Sequence, residues 1–323
     1  MGRAFEHLAV VVLATGTLFV GPARAATIAV HRGGDLQAAI DGASDGDTIV
    51  VGRGKYGPIS LTDRTDLVIK GRGGAVVGGG VGDNCVALTN CSRITVAGLT
   101  LKDSRLSAVR GVGCDTVAVR RCRMLNAGDD GVVFESSVRI TIDRNVIDTT
   151  AGNGISASDD STKPTHLSTI TRNRIARATG GGIEVRGDDD VVERNRVRRS
   201  NDHGVLVGSG TRDVVARNRL ERITFDAIAL LGDGNTVASN VVLRPTGQGI
   251  SVGADANVIT RNVVSRAGTA GIQVDGGANE VTRNGVRRSG VVDLRDSSGL
   301  ATNTYRANRV KSIEPPTLAN PRR

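Results

Sequence analysis

One asparagine returns through the second half of this chain at positions 173, 195, 218, 240, 262 and 284, in steps of 22, 23, 22, 22 and 22 residues. It sits in TRNRI, ERNRV, ARNRL, ASNVV, TRNVV and TRNGV, and Asn145 precedes the first by 28 residues. Self-similarity at so short a fixed period restricts the chain to stacked-repeat architectures before any motif is weighed. Three residues before each Asn stands an aliphatic (Ile142, Ile170, Val192, Val215, Val237, Ile259, Val281), and two after it another (Ile147, Ile175, Val197, Leu220, Val242, Val264, Val286). A second pattern follows about nine residues later: GVVF, GISA, GIEV, GVLV, AIAL, GISV and GIQV. There the residues one and three after the Gly are apolar, the period-two sign of a short strand.

Two or three short strands per 22 residues, with tight turns and no helical periodicity between 81 and 310, predict a parallel β-helix. Each coil climbs one strand spacing, about 4.8 Å. Asn then has a structural purpose. Its amide carries donors and an acceptor, so stacked copies satisfy one another, and it tolerates a left-handed corner. The competing architecture, a leucine-rich repeat, wants Leu at fixed offsets and a helix after the Asn. Here Val and Ile dominate and the chain turns straight into another strand. About ten coils of 22–23 residues are expected. By the same register Cys122 occupies the Asn position one coil before Asn145, and Cys91 and Cys114 share a column on adjacent coils. That pair is expected either to form an inter-coil disulfide or to stack as buried thiols.

The N-terminal end breaks the pattern. Residues 1–25 read as a signal peptide: Arg3 in a basic n-region, an apolar Leu8–Val20, and Ala23-Arg24-Ala25 before cleavage after Ala25 or Ala26. The mature chain is expected to be secreted or periplasmic, monomeric, and without a transmembrane segment. Residues 26–80 should form a cap and the first coils, with Leu36, Ala39 and Ile40 on a short helix capped by Asp35, and residues 81–310 the repeats. Residues 311–323 read as a tail.

The run LQAAI, GDTIVV and GKY, followed by LVIKG and VAGLTL, resembles the opening of exported right-handed β-helix proteins of the pectin-lyase-like superfamily, notably chondroitinase-B-type and alginate lyases. The later GISV and TRNVV coils resemble the generic repeat shared with mannuronan epimerases and a copper-site maturation family. The resemblance spans about residues 33 to 310 and is specific for fold, since repeats encode stacking rather than chemistry.

Charge bears on the partner. Signal cleavage removes Arg3, Arg24 and Glu6, taking the net charge from +9 to +8, and only five of 42 basic residues are Lys. Arginine forks pair with carboxylate, sulfate or phosphate. An acidic polysaccharide or anionic cell-surface component is the expected partner. Nucleic acid is not, because aromatics do not interleave with the basic residues.

Candidate site residues gather on the middle coils. The residue before each strand Gly runs through Asp130, Asn153, His203 and Asp226, and outward strand positions hold Glu135, Glu184 and Arg186. The long coil between Asn145 and Asn173 inserts about six residues in SDDSTKPTHL, bringing Asp159, Asp160, Lys163 and His166 to the same face. In lyases and epimerases of acidic sugars, Arg or Ca²⁺ neutralises the uronate and a Lys, Arg, His or Tyr removes the C-5 proton. That resemblance implies Arg186 as clamp, and Lys163, His166 or His203 as base. It implies substrate contacts at Glu184, Asp130, Asn153 and Asp226, and Glu135, Asp159 and Asp160 as calcium ligands if calcium is used. Arg283, in a corner column among other arginines, is expected to matter far less than Arg186. The same residues also have a plain structural use, since Asp-Asp before Gly makes an ordinary turn. The paired Asp of polygalacturonases lies one coil before a His-Gly, whereas Asp130 and His203 are 73 residues apart. The Asp-Pro-His of mannuronan epimerases is absent. Two functions stay open: an enzyme acting on acidic polysaccharide by proton abstraction, and a non-catalytic β-helix that binds glycan, envelope or a partner protein.

Overall fold

The structure, a computed structural model, describes residues 25–78, 83–158, 165–299, 302–316 and 318. The expected signal peptide lies outside them, apart from its last residue. Among the described residues the chain winds through three parallel sheets of thirteen, eleven and twelve strands. A coil such as 141–157 passes through Thr141–Asp143 in the first sheet, Val146–Thr150 in the second and Ile155–Ala157 in the third. It then returns one step higher. The result is a right-handed parallel β-helix.

The alternation of small apolar residues dictates this winding. Ile142, Ile170, Val192, Val215, Val237, Ile259 and Val281 pair in one inward column of the first sheet. Ile147, Ile175, Val197, Leu220, Val242, Val264 and Val286 do so in the second. The third sheet contributes Ile155, Ile183, Val205, Ile228, Ile250 and Ile272. All are buried. Each branched side chain lies over its copy from the coil below, so one narrow core runs the length of the molecule without needing aromatics. The third-sheet strands begin with Gly because the backbone there passes against the second sheet: a Cβ on Gly154 or Gly182 would collide with Ile175 or Val197 respectively.

At the corner between the first and second sheets the asparagines form the expected ladder. Oδ1 of Asn218 accepts the backbone N–H of Asn195 at 2.8 Å and its Nδ2–H at 3.1 Å. Nδ2 of Asn218 also donates to the Val192 carbonyl at 2.8 Å. The ladder begins at Cys122, whose N–H donates to Asn145 Oδ1 at 2.8 Å, and ends at Asn308, which accepts from Asn284. The residue preceding each rung is left-handed, with φ of 52° at Arg121, 56° at Arg144 and 55° at Arg217, as is Gly98 (67°) at the same corner one coil before the ladder.

A second ladder fills the corner between the third and first sheets: Ser168, Asp190, Asp213, Asn235, Asn257, Asn279 and Asn303, each backbone N–H donating to the next side-chain oxygen. The solenoid has about twelve turns, not ten, because strand pairing already starts at Thr27–Val30 with Thr48–Val51, in coils whose corners carry no Asn. The N-terminal helix is present as Leu36–Asp41, with Asp35 accepting the Ala38 N–H at 3.0 Å and Leu36 and Ile40 facing the core. At the other end Ile313–Glu314 adds a strand to the third sheet. All four cysteines are buried free thiols, so Cys91 and Cys114 stack rather than bridge.

Candidate functional site

The outward face of the third sheet collects most of the residues singled out from sequence. Strand pairing sets Ser156, Glu184 and Leu206 side by side on successive coils, with Val133 and Arg110 below. On this face Asn153 Nδ2 donates to Glu184 Oε2 at 3.0 Å, and Arg186 Nε donates to Glu184 Oε1 at 2.7 Å. One step below, Arg110 pairs with Glu135 at 2.7 Å. Glu135 is therefore committed to a guanidinium.

The residues before the strand Gly have a backbone duty as well. Asp130 Oδ1 accepts the Asn153 N–H at 2.5 Å, Asn153 Oδ1 accepts the Gly181 N–H at 2.7 Å, and Asp226 Oδ1 accepts the Gln248 N–H at 2.7 Å. A short third ladder thus underlies the row. Burial pushes the Asp130 carboxyl up to about 7, and the nearby carboxylates Asp129, Glu184 and Glu135 add to the rise against the Asn153 N–H. Asp226 is raised too, first by burial. Asp130 thus lies beside the Glu184–Arg186 pair with its carboxyl raised toward neutrality.

His203 lies two coils above Asn153. Its ring meets Phe225 edge to face at 5.0 Å, and Nε2 stands 3.6 Å from Asp202. Phe225 is 54% exposed, an aromatic surface at the upper end of the row. His166 is elsewhere. It pairs with Val138 at the corner entering the first sheet, and its Nδ1 accepts the Asp188 N–H at 3.0 Å. Lys163, Asp159 and Asp160 belong to the inserted loop and lie outside the described residues. The structure thus brings together Asp130, Asn153, Glu184 and Arg186, with His203 and Asp226 further along, and sets His166 apart. Phe225 was not anticipated; its signal was an aromatic next to Asp226, a candidate site residue, in a chain with very few aromatics.

Fold and site together define a right-handed β-helix protein with a polar row on one sheet. A right-handed β-helix profile matches residues 161–310. The profile described as periplasmic copper-binding protein (NosD) matches residues 40–222, and the chain belongs to that family. A search of curated proteins finds no sequence match. Among solved structures, the A-module of a mannuronan C-5 epimerase from Azotobacter vinelandii is 16% identical with a TM-score of 0.60, over 88% of this chain and 92% of that one. An alginate lyase from Paenibacillus is 16% identical, with a TM-score of 0.53 over 89% and 99%. DFA-IIIase of Arthrobacter chlorophenolicus is 16% identical, with a TM-score of 0.58 over 84% and 83%. At such identity the likeness is one of fold.

The family description prompts a test for copper, which favours several thiolate, thioether or imidazole donors. Cys85, Cys91, Cys114, Cys122 and Met124 are all sealed in the aliphatic core. The Cys91 and Cys114 thiols donate to the Leu61 and Leu88 carbonyls. Among the described residues no three His, Cys, Asp or Glu side chains converge. This donor set does not fit a copper centre.

Proposed function

We propose that the protein is an exported β-helix that binds an acidic polysaccharide along the third sheet and moves a proton on it through Asp130. The observation that carries this reading is the Asp130–Asn153–Glu184–Arg186 row, which sets a carboxyl titrating near about 7 beside an ion pair. Glu184 and Asn153 suit sugar hydroxyls, and the Arg186 guanidinium suits a uronate carboxylate. Phe225 offers a flat apolar surface to a sugar ring. Removing the C-5 proton of a uronate needs its carboxylate charge offset and a base whose pKa lies near the working pH. Asp130 has that pKa and Arg186 that charge. Lys163 of the adjoining loop is retained from sequence as a further base, and Asp159 and Asp160 as oxygen ligands. The polysaccharide-related names of the structural neighbours and the periplasmic description of the family are in keeping with this reading.

The engagement of Asp130 and Asn153 with backbone N–H groups favours a second reading, a glycan binder without turnover. The two separate in one experiment. The mature protein is incubated with galacturonate and mannuronate oligosaccharides in D₂O, and exchange at C-5 is followed by proton NMR alongside absorbance of unsaturated ends. Exchange that disappears in Asp130→Asn supports catalysis. Oligosaccharide binding without exchange leaves the binder; no binding overturns the third-sheet site.

A further inference from the structure

The second sheet presents a different surface. At both of its edges the backbone turns left-handed once per coil, and there the chain places arginine: Arg217, Arg261 and Arg283 along one edge, Arg222, Arg244 and Arg266 along the other, at φ between 55° and 60°. Left-handed positions favour Gly, Asn or Asp, and a residue with a long side chain is conformationally disfavoured there. The first coil to use this corner does use Gly98. Most later coils put arginine in its place, among them Arg121, Arg144, Arg172, Arg194, Arg217, Arg261 and Arg283. In the lower coils these charges are spent internally, Arg144 and Arg172 on Asp143, Arg177 on Asp148, Arg194 and Arg217 on Glu193. From Arg222 upward the edge arginines are exposed, and none among the described residues is in an ion pair.

Between the two edges the surface is hollow. Three depressions follow one another along the axis, of about 240, 340 and 990 Å³. Arg174, Arg196 and Arg198 line the lowest together with Asp148, which pairs with Arg177, and Arg198 Nε is buried without an acceptor. Arg219, Arg244, Arg266 and Arg288 line the middle one, with Glu221 the sole carboxylate. Arg261, Arg283, Arg287 and Arg309 line the largest, with no carboxylate. The floor is small and apolar or neutral: Leu243, Val263, Ser265 and Gly285. Along one ridge arginine recurs on every coil, at Arg222, Arg244, Arg266 and Arg288, about 4.8 Å apart; along the other Ser239 interrupts the run between Arg217 and Arg261.

We propose that this trough is a docking surface, separate from the third-sheet row, for a linear anionic polysaccharide lying along the solenoid axis. Its charge demands a polyanion, and its shape demands a chain. A ridged trough suits a membrane plane poorly. No aromatic lines it, since Tyr56, Phe134 and Tyr305 are buried and Phe225 stands by the third sheet, so there is nothing to stack on bases or to anchor at a lipid interface. A polyuronate offers one carboxylate per sugar in a single file, matched by the one guanidinium per coil at Arg222, Arg244, Arg266 and Arg288. The proposal shares with the third-sheet reading only the acidity of the glycan.

The test uses the mature protein and end-labelled polygalacturonate, with affinity read by fluorescence anisotropy over a salt series. Replacing Arg244, Arg266 and Arg288 together by Asn keeps residues that accept a left-handed backbone. This trough variant should lose about tenfold or more in affinity and show a shallower salt dependence, as for any polyanion held by released counterions. The control variant replaces Arg93, Arg139 and Arg212 by Asn. These are also left-handed and remove the same charge, but lie at the opposite corner, paired to Asp66, Asp115 and Asp189. It should stay within about twofold of wild type, because screening confines exposed charges to about 10 Å. Should the trough variant melt early, Arg287→Gln carries the test instead, being exposed on an ordinary strand. Equal losses in the two variants, or no loss in the trough variant, would overturn the proposal. So would displacement of the polymer by phosphatidylglycerol vesicles or single-stranded DNA at matched charge. A galacturonate trisaccharide, too short to follow the ridges, reports on the third-sheet row alone, so failure of one site is not mistaken for failure of the other.

Discussion

Asp190 donates its backbone N–H to Oδ1 of Asp213 at 2.7 Å, and both side chains are buried in a ladder that turns to asparagine one coil later. The other carboxylate oxygen of each has no partner. In the later coils that place belongs to an amide nitrogen: Asn235 Nδ2 donates to the Gly210 carbonyl at 2.8 Å, and Asn279 Nδ2 to Ala254 at 3.0 Å. A carboxylate has no proton to offer a carbonyl; a carboxylic acid does. The two aspartates therefore fit the ladder in their neutral form, and burial pushes them up to about 8 and about 7, each opposed by the N–H it accepts.

Stability should follow that proton. A carboxyl whose folded pKa is raised contributes fully below its unfolded value, about 4, and the contribution is lost as pH rises through the folded values. The window is thus from about pH 4 to about pH 8. Asp190→Asn with Asp213→Asn should raise the melting temperature clearly at pH 8.5 and hardly at pH 4, in thermal unfolding followed by circular dichroism. An equal effect at both pH values would refute the neutral-acid account.

The asparagine ladder should be a matter of stability alone. Asn218→Ala removes an acceptor from Asn195 and a donor to Val192, and it takes from Asn240 Oδ1 one of its two donors, the backbone N–H of residue 218 remaining. A loss of about 1–3 kcal/mol is expected in urea unfolding. Oligosaccharide and polymer binding should not change.

Asp130→Asn is the sharpest probe of the third-sheet row. The amide keeps the acceptor for the Asn153 N–H but cannot exchange a proton. Any turnover should fall by about 10²–10⁴, the range for loss of a general acid or base, while trisaccharide affinity is kept. In the wild type the rate should rise with pH through about 7 as Asp130 ionises, and that dependence should vanish in the variant.

The core can be tested at Phe134, the largest of its fully buried side chains. Phe134 is fully buried and covers Gly111 one coil below, where any Cβ would strike the ring. Gly111→Ala should cost about 1–3 kcal/mol through overpacking. Adding Phe134→Leu should recover part of it, a coupling that a double-mutant cycle measures.

The solenoid was legible because its core columns repeat in kind: wherever Ile142 leads, Ile170, Val192 and Val215 follow in register. The second ladder was not, because its rungs change from Ser168 through Asp190 and Asp213 to Asn235, and no constant letter marks it. The columns also placed Asp130, Asn153 and Glu184 near one another. They could not show that the first two serve backbone N–H groups, since side-chain direction is not a property of spacing. The contrast expected between Arg186 and Arg283 illustrates the same limit. Arg186 is held by Glu184, whereas Arg283 lines the largest hollow of the basic face. Which arginines have carboxylates beside them depends on neighbours 22 or more residues away in the chain.

Because each coil is held only by the one above and the one below, the molecule behaves as a ruler. A duplicated 22-residue segment, such as Val241–Asn262, would enter between existing coils with every type of contact preserved. It would also add a rung to each ridge of the trough. On the proposed reading of the trough, the number of repeats in the gene sets the length of polymer that could lie along it, and that length would change in whole steps without redesign of a single contact.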